Sequence, residues 1–178
     1  MSKPAATSTQ DQRYAQAAEA YAGDIARFVA GYERDAGKQQ ELLQEVHLAL
    51  WQSFIGYAAQ CSLRTWVYRV AHNVGVTHIQ SAARRVERGH AMLDQAESYA
   101  DDNHDIAHLD RKLDLDRVMA LVHSLAPLDR EVMLLYLEDL DAATIADVTG
   151  LSARNVATKV HRIKTLLAKR LHAGNSHE

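Results

Sequence analysis

The stretch from Ser152 to Arg170, SARNVATKVHRIKTLLAKR, carries Arg154, Lys159, Arg162, Lys164, Lys169 and Arg170 and no carboxylate. Wound as a helix at about 100° per residue, it sorts into two faces. Val156, Val160, Ile163 and Leu167 form one narrow apolar stripe, which must face a core. Arg154, Asn155, Thr158, Lys159, His161, Arg162, Thr165 and Lys169 form the opposite arc. Cationic side chains of this kind bind phosphates, and guanidinium, amide and hydroxyl groups bind base edges. The first turns of such a helix are the part that reaches into a major groove. Arg154, Asn155, Thr158 and Lys159 are therefore base-edge candidates, with Arg162 and Lys169 as phosphate anchors.

A second constellation lies in SLRTWVYRVAHNVGVTHIQSAARR, where Arg64, Trp66, Tyr68, Arg69, His72 and Asn73 crowd together. Aromatic rings interleaved with basic and amide groups can stack unpaired bases and hold their backbone. The preceding segment, Ser53 to Ser62, has the length of a loop able to pocket one extruded base. A third lies in QELLQEVHLALWQSF, where Leu42, Leu43, Val46, Leu50 and Phe54 form the expected buried face. Leu48 sits on the other side among Glu41, Gln44, Glu45 and Gln52, which suggests a contact surface for another protein.

Other residues invite chemistry but do not complete it. His104 and His108 have the i, i+4 spacing of a zinc helix, yet no third ligand or apolar wall stands near them in sequence. No catalytic residue, metal or cofactor is expected. Neither a phosphate-cradling glycine loop nor a Ser-His-Asp pattern occurs. Cys61, the single cysteine, excludes an internal disulfide and reads as a small packing residue.

The elements that must position these groups are helices. The 178 residues are 47% hydrophobic, enough for a real core, and contain only 8 Gly and 2 Pro, few for a sandwich or barrel. No apolar run approaches the roughly 18 residues of a membrane span, and the first ten residues lack the apolar stretch of a secretory signal. A cytoplasmic all-α protein without membrane insertion is expected. After a disordered tail (1–12), helices are expected near 13–34, 38–55 and 62–85, with Gly37 and Gly56 marking the breaks. Residues 87–108 lose periodicity around Asp101-Asp102-Asn103 and read as an acidic flexible linker between domains 13–86 and 109–172, before a tail (173–178). Helical pattern resumes near Leu109, and three further helices fall at about 128–137, 142–148 and 153–171. Pro127 suits a first turn, Asp141 and Ser152 suit N-caps, and Gly150 suits a helix end. Two short helices around a glycine turn make a helix-turn-helix. Charge follows the same division: net charge is −3, but the acidic groups crowd into 86–150 and the last helix is wholly basic.

Together these stretches resemble the extracytoplasmic-function sigma factors of bacterial RNA polymerase. Tyr14, Tyr21 and Phe28, then Glu41 to Val46 with Leu50 and Trp51, then Arg64 to Asn73 look like that family's region two. Leu128 to Val132, continued through Arg170, looks like its region four. The resemblance implies a three-helix unit and a helix-turn-helix unit in a non-enzymatic subunit that directs transcription initiation. It implies that Gln44, Glu45, Leu48, Trp51 and Gln52 dock on the β′ clamp helices of core polymerase, the β flap being a further contact. It further implies that Arg64, Trp66, Arg69, His72, Asn73 and Thr77, with the loop before them, engage a melted minus-ten element. The last helix would read the minus thirty-five element of promoter DNA, and an anti-sigma factor would be a partner. Where the family often has Asp four residues after the asparagine matched by Asn73, and Arg three further on, this chain has Thr77 and Gln80. The alternative reading is a sigma-like decoy that occupies an anti-sigma factor without binding DNA.

Overall fold

The computed structural model describes residues 9–87 and 117–174, which form helices and their connections with no strand among them. The chain divides into two compact units, Met1–His78 and Ile79–Glu178. The all-α expectation holds for the described residues. Of the expected linker only Glu87 is described, as the end of a helix; the rest, including His104 and His108, lies outside the described residues.

The first unit is built on α1 (Thr9–Tyr32), α2 (Ala36–Ser53) and α3, which runs Leu63–Glu87. Two boundaries differ from expectation for identifiable reasons. α1 starts at Thr9, inside the segment expected as a disordered tail, because its first turns are tied across the bundle. Gln10 Nε2 donates to the Trp51 carbonyl at 2.8 Å, and Trp51 Nε1 donates to Asp11 Oδ1 at 2.8 Å. Gly37 does not mark the first break; it lies within α2. The break is made by Asp35, whose carboxylate accepts from Lys38 N at 2.8 Å as an N-cap. Glu33 adds to it by accepting from the N–H groups of Arg34 and Asp35 at 2.7 and 3.0 Å. Burial raises the Glu33 pKa, but these bonds and His78 outweigh it and leave the carboxyl below its ordinary value.

Helical spacing builds the core. Ile25, Phe28, Val29 and Tyr32 of α1 meet Leu42, Val46 and Leu50 of α2, with Phe54 and with Val67, Tyr68 and Ala71 of α3. Leu43, expected inside, is only half-buried. Phe28 packs edge-on against Tyr32 and Tyr68, at 5.1 and 5.6 Å between ring centroids. Gly75 lets Tyr32 lie against α3, since a β-carbon there would stand 2.8 Å from the tyrosine ring.

The second unit holds α4 (117–123), α5 (Pro127–Leu137), α6 (Ala142–Thr149) and α7, which runs Ala153–Gly174. Its punctuation is as expected. Pro127 opens α5; Asp141 Oδ1 accepts from Thr144 N at 2.7 Å, a bond that also lowers the Asp141 pKa. Gly150 ends α6 at φ 76°, in the left-handed region that glycine reaches without strain. Ser152 Oγ accepts from Asn155 N at 3.2 Å and starts α7. The core joins Val122, Val132, Leu135, Leu140, Ile145 and Val148 to Val156, Ile163 and Leu167 of α7.

Candidate nucleic-acid interface

The three-residue turn from Gly150 to Ser152 sets α7 across α6, so that its apolar stripe is sealed against α5 and α6. Val156 and Ile163 are fully buried and Leu167 nearly so, while Val160 is half-buried at the stripe's edge. The opposite arc is open: Arg154, Asn155, Thr158, His161, Arg162, Thr165 and Lys169 are exposed. Thr158 Oγ1 donates back to the Arg154 carbonyl at 2.9 Å, which fixes the hydroxyl and leaves its lone pairs outward.

The cations of α7 fall into two classes that periodicity alone does not separate. Lys159 Nζ donates to Asp129 Oδ1 at 2.8 Å, and Arg162 Nη2 donates to Asp129 Oδ2 at 2.5 Å. Lys164 lies over the Tyr136 ring at 5.4 Å and donates to its hydroxyl at 3.3 Å. Arg170 Nη1 donates to Ser124 Oγ at 2.8 Å. Arg154 and Lys169 have no side-chain partner among the described residues. Lys159, expected on the open arc, is corrected: it is half-buried, with its ammonium drawn to α5 rather than outward.

In the first unit the expected minus-ten cluster divides more sharply. His72 is corrected outright. It is 6% exposed, with Nδ1 at 3.2 Å from the Tyr32 hydroxyl, and desolvation pushes its pKa down to about 4. Its ring packs into the core under Tyr32 and is not on the open face of α3. Tyr68 is buried as well. Arg64 and Arg69 are half-buried; the Arg64 guanidinium sits 5.7 Å over the Tyr68 ring, and Arg69 Nε is buried without a hydrogen-bond partner among the described residues. Asn73 and Thr77 are exposed one turn apart, and Gln80 is exposed on the same helix. Thr77 Oγ1 donates to the Asn73 carbonyl at 2.9 Å.

Trp66 links this helix to the loop 54–62. It is half-buried, its Nε1 donates to Ser53 Oγ at 2.9 Å, and its ring lies 5.1 Å from that of Tyr57. The loop is braced from two more directions. Tyr57 Oη donates to the Cys61 carbonyl at 2.9 Å, and Arg13 Nη1 donates to the Tyr57 carbonyl at 2.7 Å with its guanidinium 5.7 Å over the tyrosine ring. Sequence reasoning missed Arg13 and Tyr57. A cation forty-four residues away in sequence leaves no local signal.

The outer face of α2 carries the third surface. Leu48 is 57% exposed and Trp51 37%, flanked by exposed Gln44, Glu45 and Gln52, as the sequence implied. Ile55, just beyond the helix, is a further exposed apolar residue at 76% and was not anticipated. Behind this row His47 Nδ1 stands 3.2 Å from the Tyr14 hydroxyl, and burial lowers its pKa. No described helix is long and apolar enough to cross a membrane, and no cluster of possible metal ligands occurs among the described residues.

Two family models match the chain in order: sigma-70 region 2 over residues 17–85 and sigma-70 region 4 over 115–167. Among curated proteins, RNA polymerase sigma-H factor of Pseudomonas aeruginosa is 28% identical over 139 residues, covering 76% of this chain and 66% of that protein. ECF RNA polymerase sigma factor SigG of Mycobacterium tuberculosis is 30% identical over 150 residues, covering 72% of this chain and 40% of that protein. The chain thus spans less than two thirds of either relative's length. Among solved structures, that of CnrH in complex with the cytosolic domain of CnrY matches with a TM-score of 0.64 and 18% identity, over 90% of this chain and 88% of that one, which establishes likeness of fold.

Proposed function

Because the chain belongs to the sigma-70 family, with region 2 followed by region 4 and relatives among the extracytoplasmic-function factors, we propose that it is a promoter-specificity subunit of RNA polymerase. The observation that carries this reading is the presence in one chain of two different open faces. One is an apolar row with a polar rim on α2, suited to protein docking; the other is a cationic and amide face on α7, suited to duplex DNA.

In this reading Leu48, Trp51 and Ile55 enter a groove on core polymerase, with Gln44, Glu45 and Gln52 at the rim. Arg154, Asn155 and Thr158 read base edges of the upstream element, while Arg162 and Lys169 hold its phosphates. Trp66, Asn73 and Thr77, with the braced loop 54–62, receive the melted strand of the downstream element. His72 supports that helix from within and makes no contact with DNA. The family is not one of enzymes, and the chain's contribution is selection and opening of the template.

The test is transcription from genomic templates by purified chain and core polymerase. We expect run-off products from a discrete promoter set; their absence overturns the proposal. A regulatory protein partner of the anti-sigma type is also expected, supported by the complex of the similar protein CnrH with CnrY. The decoy reading is the weaker one, because a decoy has no use for an outward Arg154, Asn155 and Lys169.

A further inference from the structure

We propose that Asp129 is a positioning residue for DNA reading, and that Lys159 is its strut and not itself a reader. The inference rests on the promoter-reading function above. A single carboxylate holds two cations one turn apart on α7, one by each oxygen: Oδ1 takes Lys159 at 2.8 Å and Oδ2 takes Arg162 at 2.5 Å. The three side chains differ sharply in exposure. Asp129 is 16% exposed and Lys159 18%, whereas Arg162 is 65% exposed.

That asymmetry assigns the roles. The Lys159 ammonium lies in the seam between α5 and α7, neutralises part of the carboxylate's charge and keeps it in place. Arg162 is touched at one Nη2 hydrogen, and a guanidinium has five N–H donors in a rigid plane. Pinning one corner fixes the plane and leaves the other donors facing outward. A free arginine side chain would otherwise sample many rotamers, and ordering it would weaken each contact it made. Asp129 therefore does two things at once. It aims Arg162 at the phosphate that sets the register of α7, so that the base-edge residues meet their positions, and it withholds Lys159 from any phosphate, which lowers attraction for arbitrary DNA without cost to the chosen sequence.

The opposite changes in selective and unselective binding make this testable. The full chain is assembled with core polymerase and offered a pool of duplexes with a randomised upstream segment; salt dependence is measured on one fixed random-sequence duplex. For Asp129→Asn we expect sequence enrichment to fall roughly tenfold, while binding to the fixed duplex at low salt rises. Its log–log salt slope should steepen by about one, as the released Lys159 reaches a phosphate. Simple destabilisation would weaken both kinds of binding together and leave the slope alone. Asp129→Glu should recover most of the enrichment, and Lys159→Met, which leaves the Arg162 pair intact, should enrich the same sequence as the native chain.

Unchanged enrichment and slope in Asp129→Asn overturns the proposal. So does loss of preference at one base-pair position in Lys159→Met, since that would make Lys159 a reader. A native chain that enriches no sequence at all refutes the promoter-reading function itself, and this assignment falls with it.

Discussion

α3 and α7 are both long helices rich in polar and basic residues, but they are built differently. α7 packs along one stripe, Val156, Ile163 and Leu167, and presents the rest of its circumference. α3 is enclosed over more of its surface: Thr65, Val67, Tyr68, Ala71, His72 and Gly75 are buried, and Arg64, Trp66 and Arg69 half-buried. A side chain's type therefore means different things on the two helices. On α7 a polar residue is a surface residue by default. On α3 a histidine within a turn of exposed Asn73 is a core residue, because Tyr32 arrives over Gly75 to meet it.

The largest effect expected from breaking this comparison lies on neither helix but on the exposed apolar row of α2, proposed above as the docking surface. Leu48→Glu places a charge in a surface that must be desolvated to bind. Core-polymerase affinity should fall by about 4 kcal/mol, a loss approaching a thousandfold. Circular dichroism should be unchanged, because Leu48 is already in water in the free chain. Co-elution of the variant with core at native yield would place the docking surface elsewhere.

The buried histidine gives the next largest effect, and it separates the helices by pH. The folded His72 pKa, about 4, lies below the unfolded value near 6.5. The native state disfavours the imidazolium, so the contribution to stability is whole above pH 6.5 and is lost as pH falls toward 4. The full loss amounts to about 3 kcal/mol in the first unit. His47 shifts in the same direction, whereas Glu33, held below its ordinary 4.5, contributes its stability in full above that pH and loses it only as pH falls further, below the range of these melts. Thermal melts followed by Trp51 and Trp66 fluorescence should decline from pH 6.5 to 5 in the native chain. In His72→Gln they should be markedly flatter, and promoter choice should be unaltered. An equally steep decline in the variant would mean His72 is not the titrating group.

These cases mark what the sequence made legible. The helix-turn-helix could be read residue by residue because its determinants are local: a cap at Asp141, a left-handed glycine at Gly150, a cap at Ser152 and one clean stripe. The exposure of Leu48 was legible for the same reason, as an apolar residue out of phase with its own helix. What was not legible depends on partners distant in sequence. Asp129 draws in Lys159, Tyr32 draws in His72, and Arg13 reaches Tyr57. Periodicity records which face is apolar, but not which polar side chain a distant residue will reach.

Arg154 and Lys159 sharpen the point within α7 itself. Both stand on the polar arc, but only Arg154 is exposed without a partner among the described residues. Arg154→Ala should weaken use of the upstream element by about 1–3 kcal/mol and relax preference at one position. Lys159→Ala should leave preference at every position intact. Competition binding of the two variants against single-base substitutions decides the matter. Equal relaxation by both would restore Lys159 to the reading face and remove the distinction drawn between the two classes of cation.

The smallest expected effect tests whether the turn alone aims the helix. Gly150→Ala forces a side chain to φ 76°, at a cost of about 1 kcal/mol. A β-carbon at this position meets nothing within 4 Å, so the strain is purely conformational and no neighbour need move. The second unit should therefore melt a few degrees lower, while the direction of α7, held by Val156 and Ile163 in the core, should persist. Upstream-element preference measured well below the melt should be native. If preference falls with no change in the melt, the turn and not the buried stripe sets the angle at which Arg154 and Asn155 meet the groove.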